Sequence, residues 1–346
     1  MPEGPFDGTA EFPDDTVVIP KASELRGVPL SAIIARFDLE VVTDGGVDLT
    51  KPTILSAGLN RPGLQWAGYA DHFPSARIQV IGSTEINYLA SLPEEERWAL
   101  LGSSFQKGVP AVILTRGMPV NERALRLAHE NGVPVLRTQS ASTDFSIGLY
   151  GYLALELAPR TLLHAGLVDV AGEGVLILGP SGIGKSETAL ELIRRGHRLI
   201  ADDTVEVRRP SEHELMGRAP GLMRHFMEIK GIGIVNLRTM YGVGAVKASG
   251  SISMAVSLER QGTGTAAGQS SPAGDAQAHA VELTAGLQTT SILGVKVPLL
   301  AIPVHPSRST AILIESGAMA MRASRLRGDF PGLESSAVAD LYGSIA

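Results

Sequence analysis

The 346-residue sequence contains no cysteine. That removes disulfide staples, thiol nucleophiles and cysteine-bound zinc from consideration and fits a reducing compartment. It also lacks a basic excess, since 30 Lys and Arg stand against 36 Asp and Glu for a net charge of -6. Without a broad cationic field to release counterions, general binding to nucleic acid or to anionic membranes is not expected. Any polyphosphate has to be held locally. No uninterrupted apolar run approaches the roughly 20 residues that span a bilayer. The opening MPEGPFDGTAEFPDDT is acidic, with neither the basic start nor the apolar centre of a secretion signal. The expectation is a soluble cytoplasmic chain, with no nucleic acid and no membrane among its partners. What is present is ordinary for a globular protein, 44% apolar and 19% charged residues, and the length suggests about two domains.

Residues 1–21, rich in Pro, Gly and Asp, read as a loose, flexible arm. Over 22–145, Ile78–Ile81, Ala111–Leu114 and Val133–Leu136 read as buried strands, with helical spacing at Glu94–Phe105 and Asn121–Asn131 between them. This predicts a small N-terminal α/β domain with a partly parallel sheet and no phosphate loop of its own. Ser140–Asp144 (SASTD) breaks the pattern, and Ser146–Leu157 reads as a helix leading into a second α/β unit over 146–346. The domain boundary is therefore expected near 145. In the second unit, strand material is expected at Arg198–Ala201, Val205–Val207, Ile252–Leu258, Leu299–Val304 and Ala311–Glu315, and a helix at Ala318–Leu326. Residues 261–280 are low in complexity and read as a mobile loop.

One motif dominates the second unit. Gly179, Pro180, Ser181, Gly182, Ile183, Gly184, Lys185 and Ser186 match the phosphate-binding pattern G-x-x-x-x-G-K-[ST]. The apolar run Val175–Leu178 precedes the motif as a strand, and Glu187–Arg195 follows with Ala189, Leu190 and Ile193 on one helical face. Backbone N–H groups at a helix N-terminus then cradle a polyphosphate, Lys185 reaches its outer phosphates, and the Ser186 hydroxyl holds Mg²⁺.

Phosphoryl chemistry also needs a carboxylate for the metal and a group that deprotonates the attacking oxygen. Asp202 and Asp203 end the strand after the loop helix, where ligands of open α/β sheets sit, although an exposed Asp-Asp turn has the same sequence. Glu228 and Lys230 flank a GIG turn in MEIKGIGIVN. Glu228 can complete a Mg²⁺ shell or lie on a solvated strand edge, and spacing does not separate the two. His164 precedes the loop strand, a position where a lone histidine is more often structural than catalytic. Pro303–Arg308 (PVHPSR) is either a proline-rich turn or a segment offering His305 and Arg308 to an anion.

Taken together, HAGLVDVAGEGVLILGPSGIGKSETALELIRRGHRLIADDTVEV, MEIKGIGIVNL and ILGVKVPLLAIPVHPSR closely resemble HPr kinase/phosphorylase. The resemblance extends through NRPGLQWAGYADHFPSARIQVIG, VILTRGMP and VPVLRT, and so covers roughly residues 22 to 325. It implies a bifunctional enzyme that uses ATP or pyrophosphate to phosphorylate a serine of the phosphocarrier HPr, and that removes the phosphate again with inorganic phosphate, forming pyrophosphate. It further implies a role in carbon catabolite regulation, a catalytic domain related to phosphoenolpyruvate carboxykinase, a homohexamer, and in some members a response to fructose 1,6-bisphosphate. Carried over by position, Lys185 and Ser186 keep their roles, Glu228 is the metal glutamate, His164 the active-site histidine, Asp203 the general base and Asp202 its companion. Arg308 lies in the loop tied mainly to dephosphorylation.

Two segments depart from the family's pattern. The family's arginine in a D-R-L-G-like stretch has no counterpart in VELTAGLQTTS, where Glu282 stands near that place. In the loop, His305, Ser307 and Ser309 replace the family's arginine, glycine and asparagine. These changes remove groups suited to stabilising phosphoryl charge. They keep two rivals in view: a catalytically impaired nucleotide-binding regulator of the same fold, and a kinase with a small-molecule acceptor.

Overall fold

The computed structural model describes residues 27–260 and 288–327, except 52, 70–72 and 306, together with the pairs 9–10 and 17–18. The expected mobile loop at 261–280, Glu282 and everything beyond 327 lie outside the described residues. The chain divides into two units, Ala22–Pro159, and Arg160–Ala346 joined by Met1–Lys21.

In the first unit a five-stranded sheet runs in the order Glu40–Thr43, Val135–Arg137, Val112–Leu114, Ile78–Ile81, Leu59–Asn60. The last four strands are parallel, and Glu40–Thr43 is antiparallel to its neighbour. Ile78–Ile81 and Val112–Leu114 are buried at every position, as a parallel sheet covered on both faces requires. Alternate residues serve opposite cores. Ile78, Val80, Ile113 and Leu136 meet Ile33 of helix Leu30–Phe37 and Phe145, Leu149 and Leu153 of helix Ser142–Glu156. Ile81, Val112, Leu114 and Val135 meet Leu89, Leu101, Phe105 and Ala128 of three helices on the other face.

This packing corrects the expected boundary. Helix Ser142–Glu156 does not lead into the second unit, because its apolar face is part of the first core, and the division falls after Pro159.

The second unit has three layers. Its central sheet of seven strands runs in the order Thr9–Ala10, Gln288–Ile292, Val295–Val304, Met254–Arg260, Glu173–Leu178, Gly166–Val170, Arg198–Ala201. A second, antiparallel sheet runs Ser249–Ser251, Glu214–Arg218, Thr204–Ser211, Arg160–His164, Val17–Val18. Val175 and Ile177 on one face pack against Ala189, Leu192 and Ile193 of helix Lys185–Arg194 and Ala311, Ile314 and Ala318 of helix Thr310–Arg327. Leu176 and Leu178 on the other face pack against Leu163, Val205, Val207 and Leu215 of the second sheet.

Two further expectations are revised. Within the arm, Thr9–Ala10 and Val17–Val18 pair with Gln288–Ile292 and Arg160–His164 as edge strands. Ala311–Glu315 is not a strand but part of helix Thr310–Arg327. A short apolar run does not distinguish strand from helix. Here the Ser309 hydroxyl accepts the Ile312 N–H at 3.3 Å, and the buried spacing Ala311, Ile314, Ala318, Met321 is helical.

The two sheets meet closely at Gly174, where a side chain would begin only 1.8 Å from the Ser251 carbonyl oxygen. Gly174→Ala is therefore expected to lower stability by at least the roughly 1–3 kcal/mol of ordinary overpacking. Denaturation monitored by loss of amide-exchange protection in Glu173–Leu178 measures it, and wild-type protection would contradict the close approach.

Candidate functional site

Strand direction gathers the candidate residues. Glu173–Leu178, Met254–Arg260 and Val295–Val304 are mutually parallel, and Gly166–Val170 runs antiparallel between Glu173–Leu178 and Arg198–Ala201. One edge of the sheet therefore receives the end of Leu178, the start of Gly166, the end of Ala201 and the end of Val304. The glycine-rich loop, His164, Asp202, Asp203 and the segment leading to Arg308 all follow from these points, at the carboxyl ends of the parallel strands.

The loop 179–184 links strand Glu173–Leu178 to helix Lys185–Arg194. Gly179 has φ 142°, and a side chain there would meet the Leu258 carbonyl oxygen at 2.8 Å. Gly184, the residue that opens the helix, has φ 108°. Neither position accepts another residue without strain. The Lys185 ammonium is buried and donates to the carbonyls of Gly179 and Pro180 at 2.8 and 3.2 Å, so it lies along the loop it is expected to serve. Ser186 is half-buried in the first helical turn, and Ser181 and Gly182 are exposed.

At Asp202–Asp203 the chain leaves the central sheet and enters the second one, and at Ala165 it makes the opposite crossing. The crossings are tied together. Ala165 N–H donates to the Asp203 carbonyl at 3.1 Å, and within the other crossing Thr204 N–H closes a tight turn on the Asp202 carbonyl at 2.7 Å. Asp203 adopts the left-handed region, φ 64°, which Asp tolerates better than most residues. Its carboxylate is 64% exposed and stands 3.2 Å from His164 Nδ1. The histidine can orient that carboxylate, and an incoming group can reach it.

Asp202 is its opposite. Its side chain is buried, and both carboxylate oxygens lack a hydrogen-bond partner. Burial, helped by the charges of Asp203 and Glu187, raises its pKa to about 6 against the pull of the nearby Ser186 hydroxyl, which does not meet hydrogen-bond geometry. An orphaned, buried pair of oxygens beside a serine hydroxyl suits a hard cation, and Mg²⁺ takes one or two carboxylates with phosphate oxygens and water. Among the described residues no three His, Asp or Glu side chains gather closely enough to hold a metal alone. The residues present fit Mg²⁺ with polyphosphate rather than an all-protein cage.

Two sequence candidates are not drawn into this cluster. Glu228 is exposed on strand Phe226–Ile229, and Arg308 is exposed beyond strand Val295–Val304, its N–H donating to the His305 carbonyl at 3.1 Å. Neither side chain makes a hydrogen bond or ion pair with the other site residues among those described. One contributor escaped sequence reasoning. Glu187 acts on Asp202 through its charge. Glu187 adjoins Ser186 in sequence, but nothing local pairs it with a residue on another strand.

A glycine-rich loop at a helix N-terminus, a lysine along it and two carboxylates of unlike environment, set on an α/β fold, supply the kinds of group that phosphoryl chemistry uses. The comparisons give the particular family. The HPr Serine kinase N terminus matches residues 28–153, and the HPr Serine kinase C-terminal domain matches residues 155–330. The HPr kinase/phosphorylase of Bacillus licheniformis is 41% identical over 294 residues, 85% of this chain and 90% of that protein. That of Caldicellulosiruptor bescii is 42% identical over 295 residues, with the same coverage of 85% and 90%. The solved Hpr(Ser) kinase/phosphatase of Coxiella burnetii is 32% identical over 49% of this chain and 92% of its own, with a TM-score of 0.39. The chain belongs to the HPr kinase/phosphorylase family, whose members are named as enzymes with a kinase and a phosphorylase activity.

The environment of Asp202 has a consequence for stability. With a folded pKa near 6 against an ordinary 3.8, the folded state holds the proton more tightly than the unfolded chain. The associated stabilisation is complete below about pH 4 and is lost as pH rises through about 6. A shift of about two units corresponds to on the order of 3 kcal/mol. Both tryptophans, Trp66 and Trp98, lie in the other unit, so amide exchange of Glu173–Leu178, corrected for intrinsic rates, is the suitable measurement. Asp202→Asn should flatten the fall in protection between pH 4 and 7, and a slope identical to wild type would contradict this environment.

Proposed function

We propose that this chain phosphorylates a serine of HPr with ATP or pyrophosphate as donor, and that it runs the reverse phosphorolysis with inorganic phosphate, releasing pyrophosphate. The observation that carries the proposal is the division of labour between adjacent aspartates: Asp203 is exposed and paired with His164, whereas Asp202 is buried without a partner. A protein alcohol can reach only the first.

In the forward direction the serine Oγ attacks the terminal phosphorus of the donor, and the bond to ADP or phosphate breaks. Asp203 takes the hydroxyl proton, held in place by His164. In reverse, phosphate attacks the phosphoserine phosphorus and Asp203 returns a proton to the departing serine oxygen. Lys185 and the backbone amides of the loop 179–186 hold the transferring phosphates in line. Ser186 and Asp202, with Glu228 as the further carboxylate that the family resemblance implies, would hold Mg²⁺, which when bound would supply neutralisation of charge on the phosphate oxygens. Because the site supplies mainly position and charge, the same arrangement serves both directions. Arg308 follows a strand that ends on the same edge and is assigned to the phosphate that attacks in reverse. The family resemblance extends the proposal to a catalytic unit related to phosphoenolpyruvate carboxykinase, in a cytoplasmic homohexamer responsive to fructose 1,6-bisphosphate.

Purified protein with HPr, Mg²⁺ and ATP or pyrophosphate should yield phosphoserine, detectable by mass spectrometry. Asp203→Asn should lower transfer by about 10²–10⁴-fold, the usual contribution of a general base, while nucleotide binding persists. Undiminished transfer by that variant would overturn the base assignment. Phosphorylation of a metabolite but not of HPr would select a small-molecule kinase, and tight ATP binding with no transfer would select a regulator.

A further inference from the structure

Strands Phe226–Ile229 and Gly233–Asn236 form a hairpin whose tip is Lys230, Gly231 and Ile232. Its base is anchored in the helical core. Met227 is buried with Ala189 and Ile193 of the loop helix, and Ile229 and Val235 pack against the same cluster. That anchorage fixes where the tip lies. Lys230 Nζ stands 3.8 Å from the point where a side chain on Gly182 would begin, and, residues 181–183 aside, it is the one described atom within 4 Å of that point. The lysine is exposed and has no ion-pair partner among the described residues.

Two ammonium groups therefore attend the glycine loop, each on a different part of it. Lys185 lies along Gly179 and Pro180, and Lys230 arrives at Gly182 from a separate element. Beside this bare glycine the lysine makes no hydrogen bond or ion pair among the described residues. A polyphosphate cradled by the loop would supply the missing anion.

Resting on the functional reading above, we propose that Lys230 is a phosphate-binding residue that sets donor preference, favouring pyrophosphate. The reasoning concerns what each donor offers. ATP carries a base and a ribose, so its binding is spread over many contacts. Pyrophosphate has only charge and oxygen, so each cation at the loop accounts for a larger share of its recognition. A lysine placed at the tip of a separate hairpin adds such a cation without crowding the cradle, because Gly182 leaves the space empty.

The test compares wild type, K230M and K230R in phosphorylation of HPr by ATP and by pyrophosphate, with calorimetric titration of inorganic pyrophosphate and Mg²⁺ alongside. K230M is expected to lower kcat/KM with pyrophosphate by about 10- to 100-fold, the size of one lost charge-assisted hydrogen bond. The loss with ATP should be several-fold smaller, and pyrophosphate affinity should fall in parallel. K230R should retain most of both. Equal losses with the two donors, or none, would overturn the proposal. If wild type transfers to HPr from neither donor, the functional reading fails instead. The calorimetry then still decides Lys230, since unchanged pyrophosphate affinity in K230M would remove it from the site.

Discussion

The site depends on a pair of backbone hydrogen bonds at the corner where two sheets exchange strands. Ala165 N–H to the Asp203 carbonyl locks one crossing of the chain against the other, and Thr204 N–H to the Asp202 carbonyl closes a tight turn around Asp203. They hold Asp203 at φ 64°, a conformation that costs an L-residue on the order of 1 kcal/mol, and direct its carboxylate toward His164. The layers on either side, Leu163 and Val205 on one sheet, Leu167 and Leu176 on the other, keep the corner from relaxing. Strain at a reactive residue persists where the surroundings over-determine it.

Electrostatics then separates residues of the same type. Asp169, deep in the same sheet, is also pushed up by burial, yet the Lys247 and Arg198 side chains at 2.6 and 3.1 Å hold its carboxyl below the usual range. Asp202 receives no such pairing, and its carboxyl stays above the usual range. The fold completes a charge network at one position and leaves a carboxylate open at another, beside the glycine loop. A buried anion without a partner is unfavourable for stability and favourable for capturing a cation.

The first unit is a different kind of object. Its parallel sheet is covered by helices on both faces, and its strand alternation sorts cleanly into two cores. None of the residues proposed for chemistry lies in it. Each unit matches a family domain of its own.

Much of this was readable from the chain. The loop 179–186 and its flanking strand and helix are local patterns, so glycine placement and apolar period were sufficient to locate them. The strands Ile78–Ile81 and Arg198–Ala201 and the helix Glu94–Phe105 were found at their observed limits for the same reason. Apolar runs without a clear period misled. Ala311–Glu315 became helical because a serine caps it and a core claims its i, i+3, i+7 positions, and Ser142–Glu156 joined the first unit because that core had room for its aromatic face. Sequence by itself determined that a glycine-rich loop joins a strand to a helix and which acids stand near it in the chain. Only the tertiary structure decided which aspartate is buried and which exposed, that His164 meets the exposed one, and that Lys230 arrives over Gly182. Each of these follows from register between strands distant in sequence, and a local pattern carries no information about register.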